Sequence, residues 1–169
     1  MPFIKALEPH QFPTLIALAQ AVWQPTYGAI LSEKQLKFMF GATYTPTALQ
    51  AQITDGQQFF LFYDDDNKAV GYAAWSYWHF GGARQAKLNK IYLHPNAQGK
   101  GLGLFLLQQI EEKVAQETNA LQLCVNRYNK ALQFYERAGY RIIAEADFPF
   151  GEYLMNDFVL QKGLGKRLK

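Results

Sequence analysis

Cysteine occurs once in the 169 residues, at Cys124, and histidine only three times. One cysteine cannot close an intramolecular disulfide, and no cysteine-based metal site can be built, so a reducing, cytoplasmic setting without metal is expected. Acidic residues are missing from a long central stretch: they stop at Asp64, Asp65 and Asp66 and resume at Glu111. Long apolar runs are missing too. None approaches the roughly 18 residues of a membrane span, and the opening MPFIKALE has neither the basic leader nor the apolar segment of a signal peptide. No membrane partner and no secretion are expected.

Hydrophobic residues make up 49% of the chain and charged residues 18%, far from the polar, aromatic-poor composition of a disordered segment. The length suits one domain with a sizeable core, expected over residues 1–162, with a basic, fraying tail at 163–169. A net charge of +3 is too slight to imply nucleic acid. The acid-free stretch does hold Lys68, Arg84, Lys87, Lys90 and Lys100. This basic island reads either as ordinary solvated lysines or as a site for an anion such as phosphate.

Apolar spacing predicts a strand at 3–7 and a helix at 14–23 that Pro25 ends. Ser32 with Gln35 predicts a capping box for a helix to about Phe40, and Thr45-Pro46 starts another that Asp55-Gly56 stops. Strands follow at 58–63 and 69–77, joined by the acidic turn, and another at 88–93. The clearest helix is 102–117, where Leu102, Leu106, Ile110 and Val114 recur every four residues. A period of two marks a strand at 121–126, Asn129 caps a helix at 130–138 with Gly139 at its end, and strands at 140–144 and 153–160 close the chain. The expected fold is α/β (α+β): one mixed, largely antiparallel twisted sheet of about seven strands flanked by helices.

One segment carries chemistry. The strand Leu88-Asn-Lys-Ile-Tyr-Leu-His-Pro95 leads into Gln98-Gly-Lys-Gly-Leu-Gly103 and then into the best helix. Three glycines in five residues let backbone N–H groups converge at a helix N-terminus, where the dipole adds roughly half a positive charge. The spacing is neither a Walker loop nor a dinucleotide fingerprint.

Gln98, Gly101 and Gly103 after a strand ending Ile-Tyr-Leu-x-Pro resemble the acetyl-CoA motif of the GNAT superfamily of N-acetyltransferases. Asn126-Arg-Tyr-Asn129-Lys-Ala-Leu-Gln-Phe134-Tyr135-Glu-Arg-Ala-Gly139-Tyr140 is similar to that family's second signature, at the expected distance. The resemblance covers nearly the whole chain. The end, Glu152-Tyr153-Leu154-Met155 with Leu160, is similar to the spermidine/spermine or polyamine branch.

The resemblance implies a GNAT fold and an acetyl-CoA-dependent transfer to a primary amine of a small molecule by direct attack. It implies that the pantetheine arm pairs with the backbone at Ile91, Tyr92 and Leu93. Backbone amides of Gln98, Gly99, Lys100, Gly101, Leu102 and Gly103 would hold the pyrophosphate, Asn129 would bond the CoA arm, and Tyr135 would lie at the thioester sulfur as general acid. A phenol suits that task, because attack on a thioester expels a thiolate that a nearby hydroxyl can protonate. A homodimer is compatible with the sequence.

One departure from the family is the missing carboxylate at Asn89-Lys90, where many relatives place a glutamate base. Water, a backbone carbonyl or a carboxylate elsewhere such as Glu152 all stay open as proton acceptors. Trp23, Tyr27, Trp75, Tyr77 and Trp78 are candidates for an amine pocket by cation–π attraction, or for ordinary packing. Two other functions stay open: acetylation of a protein N-terminus or lysine, and CoA sensing without turnover.

Overall fold

The structure is a computed structural model and describes residues 1–165. Seven strands form one sheet in the order β1-β2-β3-β4-β5-β7-β6. They are β1 Phe3–Ala6, β2 Gln58–Tyr63, β3 Ala69–Phe80, β4 Ala83–Leu93, β5 Ala120–Asn126, β6 Arg141–Phe150 and β7 Tyr153–Gly163. Every neighbouring pair is antiparallel except β4 and β5, which run parallel.

Three helices precede β2: α1 Phe12–Tyr27, α2 Glu33–Thr43 and α3 Pro46–Thr54. They cover one face of the sheet, with Leu15, Leu49, Leu61 and Tyr72 at the centre of that core. Helices α4 Leu102–Val114 and α5 Ala131–Arg137 cover the other face, around Leu106, Ile110, Leu121 and Leu160. Alternation along β3 divides the labour: Tyr72 and Ala74 point to the first core, Ala73 and Trp75 to the second. Each of the four aliphatic side chains that α4 buries, Leu106, Leu107, Ile110 and Val114, is worth roughly 1.5–3 kcal/mol, so this stripe fixes the helix on the sheet.

The caps expected of α2 and α3 form. Ser32 Oγ accepts from the Gln35 N–H at 3.1 Å, and Thr45 Oγ1 from the Ala48 N–H at 3.0 Å. The reciprocal half of the capping box is absent, because Gln35 Nε2 turns to the Met155 sulfur. Pro25 does not end its helix: α1 runs on to Tyr27. The proline removes only its own N–H bond, and its exposed ring sits in the last turn, where the lost bond costs little.

β3 and β4 extend three residues later and five residues earlier than their apolar pattern indicates, and β6 runs six residues past its expected end at 144. Gly81 and Gly82, at φ +59° and +80°, form the two-residue turn of a long hairpin, a conformation only glycine adopts freely. At the C-terminus, β7 continues through Gly163, and Leu164 is buried with its N–H on the Asn119 carbonyl. Residues 163 and 164, in the stretch expected to fray, thus lie in the sheet and the core, and the basic residues at 166–169 lie outside the described residues. No helix among the described residues is long and apolar enough to cross a membrane.

Candidate active site

β4 and β5 share only two register pairs, Lys87 with Gln122 and Leu88 with Leu123. The cause is local. Across β3, Trp75 faces Leu88 and Ala74 faces Lys90, so Asn89 is an extra residue, and such a bulge bends its strand and sharpens its twist. The Asn89 amide Nδ2 donates to Ser76 Oγ at 2.9 Å and holds the bulge on β3. Beyond it, β4 stays with β3 as far as the Leu93 and Gly71 pair, while β5 stays with β7 as far as Asn126 and Asp157. The strands part into a V, and residues 89–93, including Ile91, Tyr92 and Leu93, turn one backbone edge to the gap.

The glycine loop stands at the mouth of the V. A 3-10 turn, Pro95–Ala97, is capped by His94 Nδ1, which accepts the Asn96 N–H at 3.1 Å. Gly99 and Gly101 have φ of +77° and +76°, and a Cβ on either would meet nothing within 4 Å. Glycine is needed there for the backbone conformation, not for space. The amides of residues 99–103 donate to no acceptor among the described residues, and they lie at the start of α4. Gln98 differs from the residues that follow it. Its N–H donates to the Pro95 carbonyl at 3.2 Å and its Nε2 to the Leu93 carbonyl at 3.1 Å, so this residue ties loop to strand and the free amides begin at Gly99.

Tyr135 is buried on α5, with its ring edge-on to Phe134 and Tyr140. Its hydroxyl makes no hydrogen bond to another described residue. Burial pushes the phenol well above its ordinary pKa, and the Tyr27 phenol, carried by α1 on the opposite face of the sheet, adds to the rise. A phenol is already protonated at neutral pH, and burial only widens that margin. The cap position of α5 is Lys130, not the expected Asn129; Asn129 Oδ1 accepts the Ala131 N–H at 2.9 Å from one residue earlier, which leaves both Nδ2 hydrogens available.

A family profile described as Acetyltransferase (GNAT) domain matches residues 29–152. The chain belongs to the GNAT family. As a member it is an N-acetyltransferase, and its named relatives agree. A spermidine N(1)-acetyltransferase of Thermoplasma acidophilum is 27% identical over 146 residues, covering 82% of this chain and 88% of that one. An uncharacterised N-acetyltransferase of Mycobacterium tuberculosis is 31% identical over 115 residues, 66% of this chain and 71% of the other. Among solved structures, the PaiA N-acetyltransferase of Thermoplasma acidophilum in complex with coenzyme A has a TM-score of 0.78 at 24% identity, covering 96% and 99% of the two chains. The ribosomal-protein-S18-alanine N-acetyltransferase of Escherichia coli has a TM-score of 0.68 at 16% identity, covering 100% and 99%. At these identities the two structures establish the shared fold.

Within this GNAT frame the basic island does not assemble. Only Lys100 lies in the glycine loop. Arg84 pairs with Glu117, while Lys90 Nζ donates to Gln52 Oε1 at 2.6 Å and Gln57 Oε1 at 2.8 Å. The aromatic set divides as well. Trp75 packs on the α4 face, stacked on Phe60, Tyr77 lies under the Arg84 guanidinium, and Trp78 is partly exposed. Trp23 and Tyr27 alone remain on the α1 side, and the phenols of Tyr27 and Tyr92 lie 2.7 Å apart. Glu152 is exposed at the β6–β7 turn, 3.9 Å from Lys34. Among the described residues no group of three or more metal-ligating side chains is present.

Two features escaped the sequence reading. The Tyr27–Tyr92 pair joins residues 65 apart in the chain. Asp157, at the last pair of β5 and β7, has a buried Oδ1 with no hydrogen-bond partner among the described residues. Neither has a local signal: Asp157 sits in a strand whose alternation marks it as one more outward polar residue.

Proposed function

We propose that the protein transfers the acetyl group of acetyl-CoA to the primary amine of a small molecule by direct attack, with Tyr135 as general acid. The observation that carries this is the parting of β4 and β5 after Leu88 and Leu123, with unpaired loop amides at its mouth. The residues present fit the co-substrate: a strand edge for the amides of the pantetheine arm, the amides of residues 99–103 for the pyrophosphate, and the Asn129 Nδ2 for the arm between them.

Acetyl-CoA supplies an activated acyl carbon when bound. The chain's part is to orient it and to manage protons. Tyr135, a phenol protonated at neutral pH, gives its hydrogen to the departing sulfur. The glycine loop positions without taking part in chemistry, because its amides meet charge that does not change during transfer. The spermidine N(1)-acetyltransferase relative, aligned over most of both chains, supports a small-molecule amine. The test is thiol release from acetyl-CoA across polyamines, aminoglycosides, amino acids and peptides. Turnover with a small amine supports the reading, and turnover with peptides alone would replace it.

A further inference from the structure

Asp157 stands on β7 opposite Asn126, where the sheet has already opened. Phe158, Leu160 and Lys162 point to the α4 and α5 side, so alternation turns Asp157 to the side of α1. Its buried Oδ1 accepts no hydrogen bond from a described residue. Leaving a buried acceptor unmade costs roughly 1–3 kcal/mol, and more when it is charged, so such a group calls for an explanation.

The neighbouring cations do not supply one. Arg127 gives its guanidinium to Asp147 at 3.0 Å and reaches Asp157 only at the main-chain carbonyl. Lys87 lies over the Phe148 ring and beside the Cys124 thiol. Neither pairs with the Asp157 carboxylate. From α1, Tyr27 is close enough to interact electrostatically with both Asp157 and Tyr135. Its hydroxyl lies 2.7 Å from that of Tyr92, on the strand that borders the gap.

We infer that Asp157 receives the acceptor amine: an ammonium group docks against its free oxygen and passes one proton to it. This rests on the reading of the V as the acetyl-transfer site. The groups facing Asp157 are Lys87 from β4, Cys124 from β5, Arg127 after it, Asp147 from β6 and Tyr27 from α1. Burial and Asp147 raise the carboxyl's pKa, against the lowering by Lys87 and Arg127. Desolvation lowers that of an ammonium, so the two proton affinities approach each other inside the site.

The protons and electron pairs balance. The ammonium gives one proton to the Asp157 carboxylate, and the freed nitrogen pair forms the C–N bond to the acetyl carbon. The C–S pair leaves with sulfur, which takes the Tyr135 hydrogen. The cationic nitrogen returns a proton to the Tyr135 oxygen, and Asp157 releases its proton to water.

The test compares wild type with Asp157→Asn, which keeps the shape and removes the charge. For the best amine in the panel, kcat/KM is expected to fall roughly 10²-fold and to lose its acidic limb, with acetyl-CoA affinity unchanged. The melting temperature is expected to hold, because the buried Oδ1 accepts no hydrogen bond that the amide would break. Wild-type kcat/KM with an unaltered pH profile would overturn the inference, as would a marked fall in melting temperature, which would make Asp157 structural. If wild type turns over no amine, the transfer reading itself fails; calorimetry of spermidine against the CoA-loaded protein then decides. Binding that weakens tenfold or more in Asp157→Asn keeps the amine site, and equal or absent binding in both proteins rejects it.

Discussion

Leu88 and Leu123 form the last pair that joins β4 to β5. Every feature of the proposed site depends on the strands parting just beyond them, and the bulge at Asn89 marks where they do. Asn89→Ala removes the amide that holds the bulge on Ser76. Its acetyl-CoA affinity should fall several-fold with little change in melting temperature, as read by calorimetry and a thermal melt. Unchanged affinity would show that the bulge holds itself without that bond.

Gly101 caps α4 at φ +76°. A β-branched residue there pays roughly 1–2 kcal/mol for the left-handed backbone, or rotates the neighbouring amides away. Gly101→Val is expected to weaken acetyl-CoA binding at least tenfold. Gly103→Ala is the control, since its Cβ would meet Leu93 and Phe134 at an ordinary 3.7 Å and its φ is not in the left-handed region. Equal affinities for the two variants would contradict a conformational role for Gly101.

The stability of the fold rests in part on a buried carboxylate. Glu111 accepts from the Tyr140 hydroxyl at 2.9 Å and from Lys162 Nζ at 3.0 Å, which ties α4 to β7. Glu111→Ala leaves both donors unmatched and should cost about 3 kcal/mol, the low end for breaking a buried pair, since Lys162 can still reach water. Urea denaturation measures it. Acetyl-CoA affinity of the folded fraction should be unaltered.

Lys90 makes stability depend on alkaline pH. Burial, with the charge of Lys87 adding, brings its pKa down to about 8 from an ordinary value near 10.5. Between these values the unfolded chain holds the extra proton, so the wild type gains stability as pH rises through that window. Urea melts of wild type and Lys90→Met at pH 7 and pH 10 should differ, with the wild type relatively more stable at pH 10. A difference independent of pH would contradict the burial of a charged amine.

Much of this architecture is legible in residue order. β2 shows its exact bounds because the run from Gln58 to Tyr63 lies between a glycine stop and the Asp64 turn, and α4 is announced by a four-residue apolar recurrence. The glycine loop stands out by its local spacing, whereas Tyr135 is singled out only by the resemblance to the second signature of the family, since its helical position alone reads as a packed aromatic. Gly81-Gly82 is a turn only once its long flanking strands are paired, and the polar residues of early β4 do not advertise that pairing. β6 is exposed along nearly its whole length, so it offers little alternation to read. The parting of β4 from β5, the Tyr27–Tyr92 bond and the position of Asp157 all join residues distant in sequence, and no local pattern encodes them.

Tyr135→Phe separates chemistry from packing. The ring stays against Phe134 and Tyr140, so stability and acetyl-CoA affinity should hold. Loss of a positioned acid lowers kcat by roughly 10²-fold, the modest end of the range, because a thiolate already leaves readily. Steady-state kinetics with separate affinity measurement checks this, and near wild-type turnover would remove Tyr135 from the mechanism.

The most direct measurement of the central claim is a titration of isotope-labelled protein with coenzyme A, followed by amide NMR shifts. Saturable shifts concentrated at residues 99–103, at residues 89–93 and around Asn129 and Tyr135 are expected, with Gln98 moving less than Gly99 because its amide is already bonded. Shifts centred elsewhere, such as the hollow of about 470 Å³ lined by Gln24, Gly28, Leu31, Glu33 and Leu36, or no saturable shifts at all, would contradict the account.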